Sequence, residues 1–145
     1  MAISLRLFWL NSVMTSSTKS LLTRDIQALV ALFATSGTLH LLRPQVFEAI
    51  VPRALPAPRA LVYASGVGEL ACAAGLLHPA TRRRAGWASV ALLVLIFPGN
   101  VQMAVTEGKR AGRGTGSRFR HGATLVRLPL QIPLIRTALK ATGRR

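Results

Sequence analysis

Residues 85–106 read AGWASVALLVLIFPGNVQMAVT, 22 consecutive positions without a formal charge. Bilayer hydrocarbon is about 30 Å thick and a helix rises about 1.5 Å per residue, so roughly 20 apolar residues cross it. A core helix of a soluble domain rarely needs so long an uncharged run, and this stretch therefore sets the fold class. Three further stretches resemble it. Residues 26–42 carry no charge if His40 is neutral, and they stop at Arg43-Pro44, where proline and its predecessor disfavour more helix. Residues 60–81 are interrupted once, by Glu69, and lie between a loop containing Pro52, Pro56 and Pro58 and the basic run Arg82-Arg83-Arg84. Residues 123–139 are apolar except for Arg127 and Arg136 and contain Pro129 and Pro133. Two such prolines would end a helix in water, whereas neighbouring helices in a membrane can satisfy the carbonyls they free.

The expected architecture is thus all-α, a polytopic membrane four-helix bundle with spans at 26–42, 60–81, 85–106 and 123–139. These fall in one membrane domain, residues 23–140, between a leader (1–22) and a basic tail (141–145). The leader resembles a signal peptide only loosely. Its apolar run, Ile3 to Leu10, is short and split by Arg6, and no A-x-A site follows. It reads as an amphipathic peripheral segment, or as an over-extended start with Met14 as initiator.

Composition supports the same class. Half of the 145 residues are hydrophobic and 16% are charged, yet 19 Lys and Arg against 4 Asp and Glu leave a net charge of +15. A soluble nucleic-acid binder of that charge would be polar overall, and a disordered basic chain would lack the apolar content. The mean hydropathy of +0.39 excludes both. Apolar spans joined by basic loops reconcile the two facts, and the partner they imply is the lipid bilayer, with no nucleic acid. The glycine-rich, basic stretch 107–122 reads as a solvated or headgroup-contacting loop. The compact Arg82–Arg84 turn between two strong spans places that turn and both termini on the cytoplasmic side of the inner cell membrane.

Ionisable groups near a bilayer centre cost about 2.5 to 3.5 kcal/mol on insertion scales and usually face the bundle interior. Counting inward from the face where the first span ends puts His40 about 3 Å deep, Glu69 about 14 Å, Asn100 about 9 Å and Arg127 about 6 Å. Gln131 shares the Arg127 helix face one turn deeper. These residues are the candidate polar cluster, centred on an expected Glu69–Arg127 ion pair with His40, Asn100, Gln102 and Gln131 as hydrogen-bonding neighbours. Asn100 and Gln102 are about 200° apart on an ideal helix, so one of them faces elsewhere unless Pro98 distorts the turn. Two roles stay open for the cluster, interhelical glue or a small-molecule or proton-handling pocket.

Other chemistry is sparse. Ala64, Gly68 and Cys72 recur every four residues and read as a close-packing stripe. Cys72 is the one cysteine, which leaves no intrachain disulfide and no thiolate metal site. Histidines at 40, 78 and 121 lack a second ligand at helical spacing, so no metal site is expected. Gly66-Val67-Gly68 lacks the rest of a dinucleotide fingerprint, Gly108 to Gly116 is no phosphate loop, and there is no G-x-S-x-G. No catalytic residue and no cofactor are assigned.

Over residues 24–140 an ordered set of short motifs resembles the DoxX family of small bacterial membrane proteins. The pieces are Gly37-Thr38-Leu39-His40 with Pro44 and Phe47; Ile50-Val51-Pro52 with Leu55-Pro56; Ser65-Gly66-Val67-Gly68-Glu69-Leu70 with Gly75-Leu76-Leu77; Thr81-Arg82; Phe97-Pro98-Gly99-Asn100-Val101; and Arg127-Leu128-Pro129-Leu130-Gln131. The resemblance implies a four-helix integral membrane protein with His40, Glu69, Asn100, Arg127 and Gln131 as its characteristic polar positions. It also implies an association with thiosulfate–quinone oxidoreductase subunits or with membrane complexes of oxidative-stress defence. The leader and the basic 107–122 stretch depart from the family pattern. Two functions follow as expectations: a non-catalytic membrane component or partner of a redox complex, or a binder or enzyme for a lipophilic substrate such as a quinone or isoprenoid, using Glu69 and His40 as acid/base groups. Proton-coupled transport has less support, because no inverted repeat is visible.

Overall fold

A computed structural model describes residues 22–52, 54–110 and 115–143. Among these the chain is all-helical, with five helices: α1 (Arg24–Leu42), α2 (Pro44–Glu48), α3 (Pro58–Leu77), α4 (Arg82–Arg110) and α5 (Thr115–Ala141). Three of them, α1, α3 and α4, are long and apolar enough to cross a membrane, the mark of a membrane protein. The fourth long helix, α5, carries Arg118, Arg120, Arg127, Arg136 and Lys140 and is less apolar.

The helix ends follow from local chemistry. Arg43 leaves helical geometry before Pro44, and Pro44 then starts α2 at the position where a missing N–H costs nothing. That short helix was absent from the sequence expectation, although a proline poised to be a first helical residue was its signal. The second span, expected to reach residue 81, stops at Leu77 because His78 precedes Pro79 and is held extended (φ −89°, ψ 126°). Its terminal carbonyls are met by the next helix: Thr81 Oγ1 donates to Gly75 O at 2.8 Å and Arg82 Nε to Leu76 O at 3.0 Å. At the other end of α3, Ala57 between Pro56 and Pro58 adopts φ 50°, ψ 60°, a left-handed conformation that costs a non-glycine residue about 1 kcal/mol or more.

α4 runs through Pro98, and α5 runs through Pro129 and Pro133. Most of 107–122, read from sequence as a loop, is helical: α4 continues to Arg110 and α5 begins at Thr115. Apolar counting finds the hydrocarbon-spanning part of a helix and misses the turns that project into the polar interface. The leader through residue 21, and residues 144–145 of the expected basic tail, lie outside the described residues.

The long helices pack most extensively as two antiparallel pairs, α1 with α3 and α4 with α5, joined through α3 and α4. A buried core of Ile26, Leu29, Phe33, Cys72, Ala73, Leu76, Ala85, Leu93, Ala138 and Ala141 fills the end of the bundle that holds the α3–α4 turn. Asp25 and Lys140 pair at 2.6 Å at that end, tying the start of α1 to the end of α5. Leu95, Val94, Val67 and Ile132 are exposed around the outside, as lipid-facing residues are.

Glycine sets the α1–α3 register. A Cβ on Gly37 would fall 2.7 Å from Gly66 O, and one on Gly66 would fall 2.8 Å from His40 Cβ. Neither helix can carry a side chain there at this separation. Gly37→Ala should push the pair apart and cost about 1–3 kcal/mol, read as a lowered melting temperature in detergent. Gly99→Ala, where an added Cβ meets nothing within 4 Å, should leave the melting temperature unchanged or slightly raised.

Candidate binding site

The glycine contact brings His40 of α1 against Glu69 of α3. Counted depths place these residues about 11 Å apart along the membrane normal, yet His40 Nδ1 lies 3.4 Å from Glu69 Oε2. Helical side chains lean toward the N-terminus of their own helix. In an antiparallel pair the two therefore lean toward one another, His40 inward and Glu69 outward, which closes the gap. Ser36, one turn before His40, places its hydroxyl 3.4 Å from the same Nδ1. On the outer side the Phe47 ring of α2 lies over the imidazole, with centroids 4.0 Å apart at 40°. α2 is held to α3 by Arg59, whose Nε donates to Glu48 Oε1 at 2.7 Å.

Glu69 is 2% exposed. His40 Nδ1 approaches without hydrogen-bond alignment, so Oε2 is buried with no hydrogen-bond donor. A buried carboxylate oxygen left in that state is costly, and it is the feature of this site that asks for a donor from outside the chain.

Asn100, Gln131 and Arg127 form a different arrangement on α4 and α5. Asn100 Nδ2 donates to Gln131 Oε1 at 3.3 Å, and Gln131 Nε2 donates to Leu93 O at 2.6 Å. The carbonyl that Pro98 leaves without its helical N–H is that of Val94, and Gln131 reaches the neighbouring carbonyl of Leu93. Gln131 is buried, and its amide is consumed at both ends. As the 200° separation requires, Asn100 faces α5 and Gln102 does not join it.

The expected Glu69–Arg127 ion pair does not form. Arg127 is exposed on α5, and its Nη1 contacts Met103 Sδ at 3.7 Å. Spacing along each span gave both residues a similar depth but left the rotation of α5 about its axis unspecified. That rotation is set by Gln131 and by the small-residue contact of Gly86 with Ala138, where a Cβ on Gly86 would meet Ala138 O at 2.9 Å. The single five-residue cluster thus separates into His40–Glu69, Asn100–Gln131, and an outward Arg127.

Sequence reasoning also passed over Ser36, and it named Phe47 and His121 without foreseeing their contacts. Ser36 could have been found from its i, i+4 spacing to His40. His121 packs its ring against Gly108, 3.0 Å from where a Cβ would stand, and its Nδ1 is buried without a hydrogen-bond partner. No group of three or more His, Cys, Asp or Glu that could hold a metal occurs among the described residues. Cys72 is a buried free thiol in the core.

A double-mutant cycle separates the two arrangements. Stability losses of Glu69→Gln and Arg127→Gln should add to within about 0.5 kcal/mol, while Glu69→Gln and His40→Ala should couple by more than that. Thermal unfolding of the three single and two double variants in one detergent reads both.

Residues 29–142 match the family described as Domain of unknown function (DUF8561), and the chain belongs to that family. No curated protein and no solved structure matches the chain.

Proposed function

We propose that this is a DoxX-like integral membrane protein with four spans whose His40–Glu69 pair binds a small lipophilic molecule bearing a hydroxyl donor, such as a quinol or an isoprenoid alcohol. The fourth span is α5. It is supported by the way α5 follows α4 along its length, from His121 against Gly108 to Ala138 against Gly86. Four spans put the described ends of the chain on the side of the Arg82–Arg84 turn, which the positive-inside rule assigns to the cytoplasm of a cell membrane.

The observation that carries the ligand reading is the buried, donor-less Oε2 of Glu69 beside His40. A hydroxyl would supply the missing hydrogen bond, and the hydrocarbon body that carries it would arrive from the lipid that surrounds the helices. His40, able to donate or accept, would hold a second polar atom of the same molecule.

A second reading, a non-catalytic membrane partner of a redox complex, rests on the α4–α5 network. Asn100 and Gln131 satisfy each other and a backbone carbonyl, which is how interhelical polar residues act as glue.

Purification in mild detergent followed by native mass spectrometry tests the proposal. Wild-type protein should carry a lipophilic adduct of a few hundred daltons that is lost in Glu69→Gln, with helicity and elution volume unchanged. An adduct kept in Glu69→Gln, or wild type without one, would overturn the ligand reading. A co-purifying protein chain with no small adduct would favour the redox-partner reading instead.

A further inference from the structure

The four acidic side chains of the chain are Asp25, Glu48, Glu69 and Glu107. Asp25 is bonded to Lys140, Glu48 to Arg59, and Glu69 faces His40, while Glu107 is buried. Arg127 meets none of them. Its guanidinium carries five donors, and the polar contact it makes is the weak acceptor Sδ of Met103. Its neighbours on α5, Val126 and Leu130, are apolar and exposed. Met103 lies three residues inside Thr106, the end of the uncharged run, so the Arg127 level is about 5 Å within the apolar slab. That is a depth an arginine stem spans by extending toward the interface.

A guanidinium left among acyl chains at that depth is costly, and no ion pair joins Arg127 to an acidic side chain among the described residues. We infer that Arg127 is a binding site for the phosphodiester of an anionic glycerophospholipid, seated on the outer face of the α4–α5 pair with its acyl chains along Val126 and Leu130. The planar fork of arginine matches two phosphate oxygens, and the apolar residues on either side match the chains below them. A net charge of +15 favours a lipid whose headgroup adds no cation of its own. This inference is independent of the ligand reading at Glu69, which lies on the other helix pair.

The test is native mass spectrometry of the full chain titrated with phosphatidylglycerol or phosphatidylcholine of identical chains. Wild type should bind phosphatidylglycerol at least tenfold more tightly. Arg127→Gln should remove most of that preference, and Arg127→Lys, which keeps the charge and the fold but loses the fork, should lower it about threefold. Arg136→Gln, which removes an equal charge at the other end of α5, should leave the preference in place. Wild-type affinity in either Arg127 variant, an equal loss in Arg136→Gln, or displacement of the lipid by millimolar inorganic phosphate would each overturn the assignment. The last result would move the site to a free phosphate.

Discussion

A carboxylate that is 2% exposed, on a helix of apolar length enough to cross a membrane, must be accommodated by its neighbours, and the packing around Glu69 is arranged to do so. Gly37 and Gly66 let α1 and α3 approach until a backbone carbonyl of one nearly touches the Cα of the other. That approach places His40 beside the acid. α2, begun by Pro44 and tied down through Glu48 and Arg59, then lays Phe47 over the imidazole. Remove the glycine contact and the acid, the histidine and the aromatic cover lose their common position together. The apolar core at the opposite end has no such dependence, because Leu29, Phe33 and Leu76 are interchangeable in chemistry, if not in shape.

The α4–α5 pair solves a different problem. Each of its helices carries prolines that weaken the backbone ladder where no water can compensate. Gln131 bridges the two helices beside Pro98, giving one hydrogen to the Leu93 carbonyl of α4 and accepting one from Asn100. The Asn100–Gln131 network is therefore internally satisfied, while Glu69 Oε2 on the α1–α3 pair and His121 Nδ1 on the α4–α5 pair each stay buried without a partner. The contrast between them is what divides glue from a site of interaction.

Much of this was legible in the chain. An uncharged run of 22 residues, together with basic punctuation at Arg82–Arg84, fixes long helices and their order, because length and charge alone decide whether a segment suits hydrocarbon. The polar residues were legible as a set, since polarity inside an apolar run is conspicuous in one dimension. Their grouping was not. Which of them meet depends on helix rotation, and rotation is decided by close contacts such as Gly37–Gly66 and Gly86–Ala138 that join residues far apart in sequence. Arg127 shows the limit: its depth was readable and its direction was not. The same reason hid Phe47, whose place over His40 exists only after Pro44 has turned the chain into α2.

Solid-state NMR in lipid bilayers measures the central contact directly. With Glu69 labelled at 13Cδ and the His40 imidazole labelled with 15N, rotational-echo double resonance should show strong dephasing, as expected for a carboxylate oxygen 3.4 Å from Nδ1. No dephasing above natural-abundance background, in protein that remains helical in the same bilayers, would contradict the account.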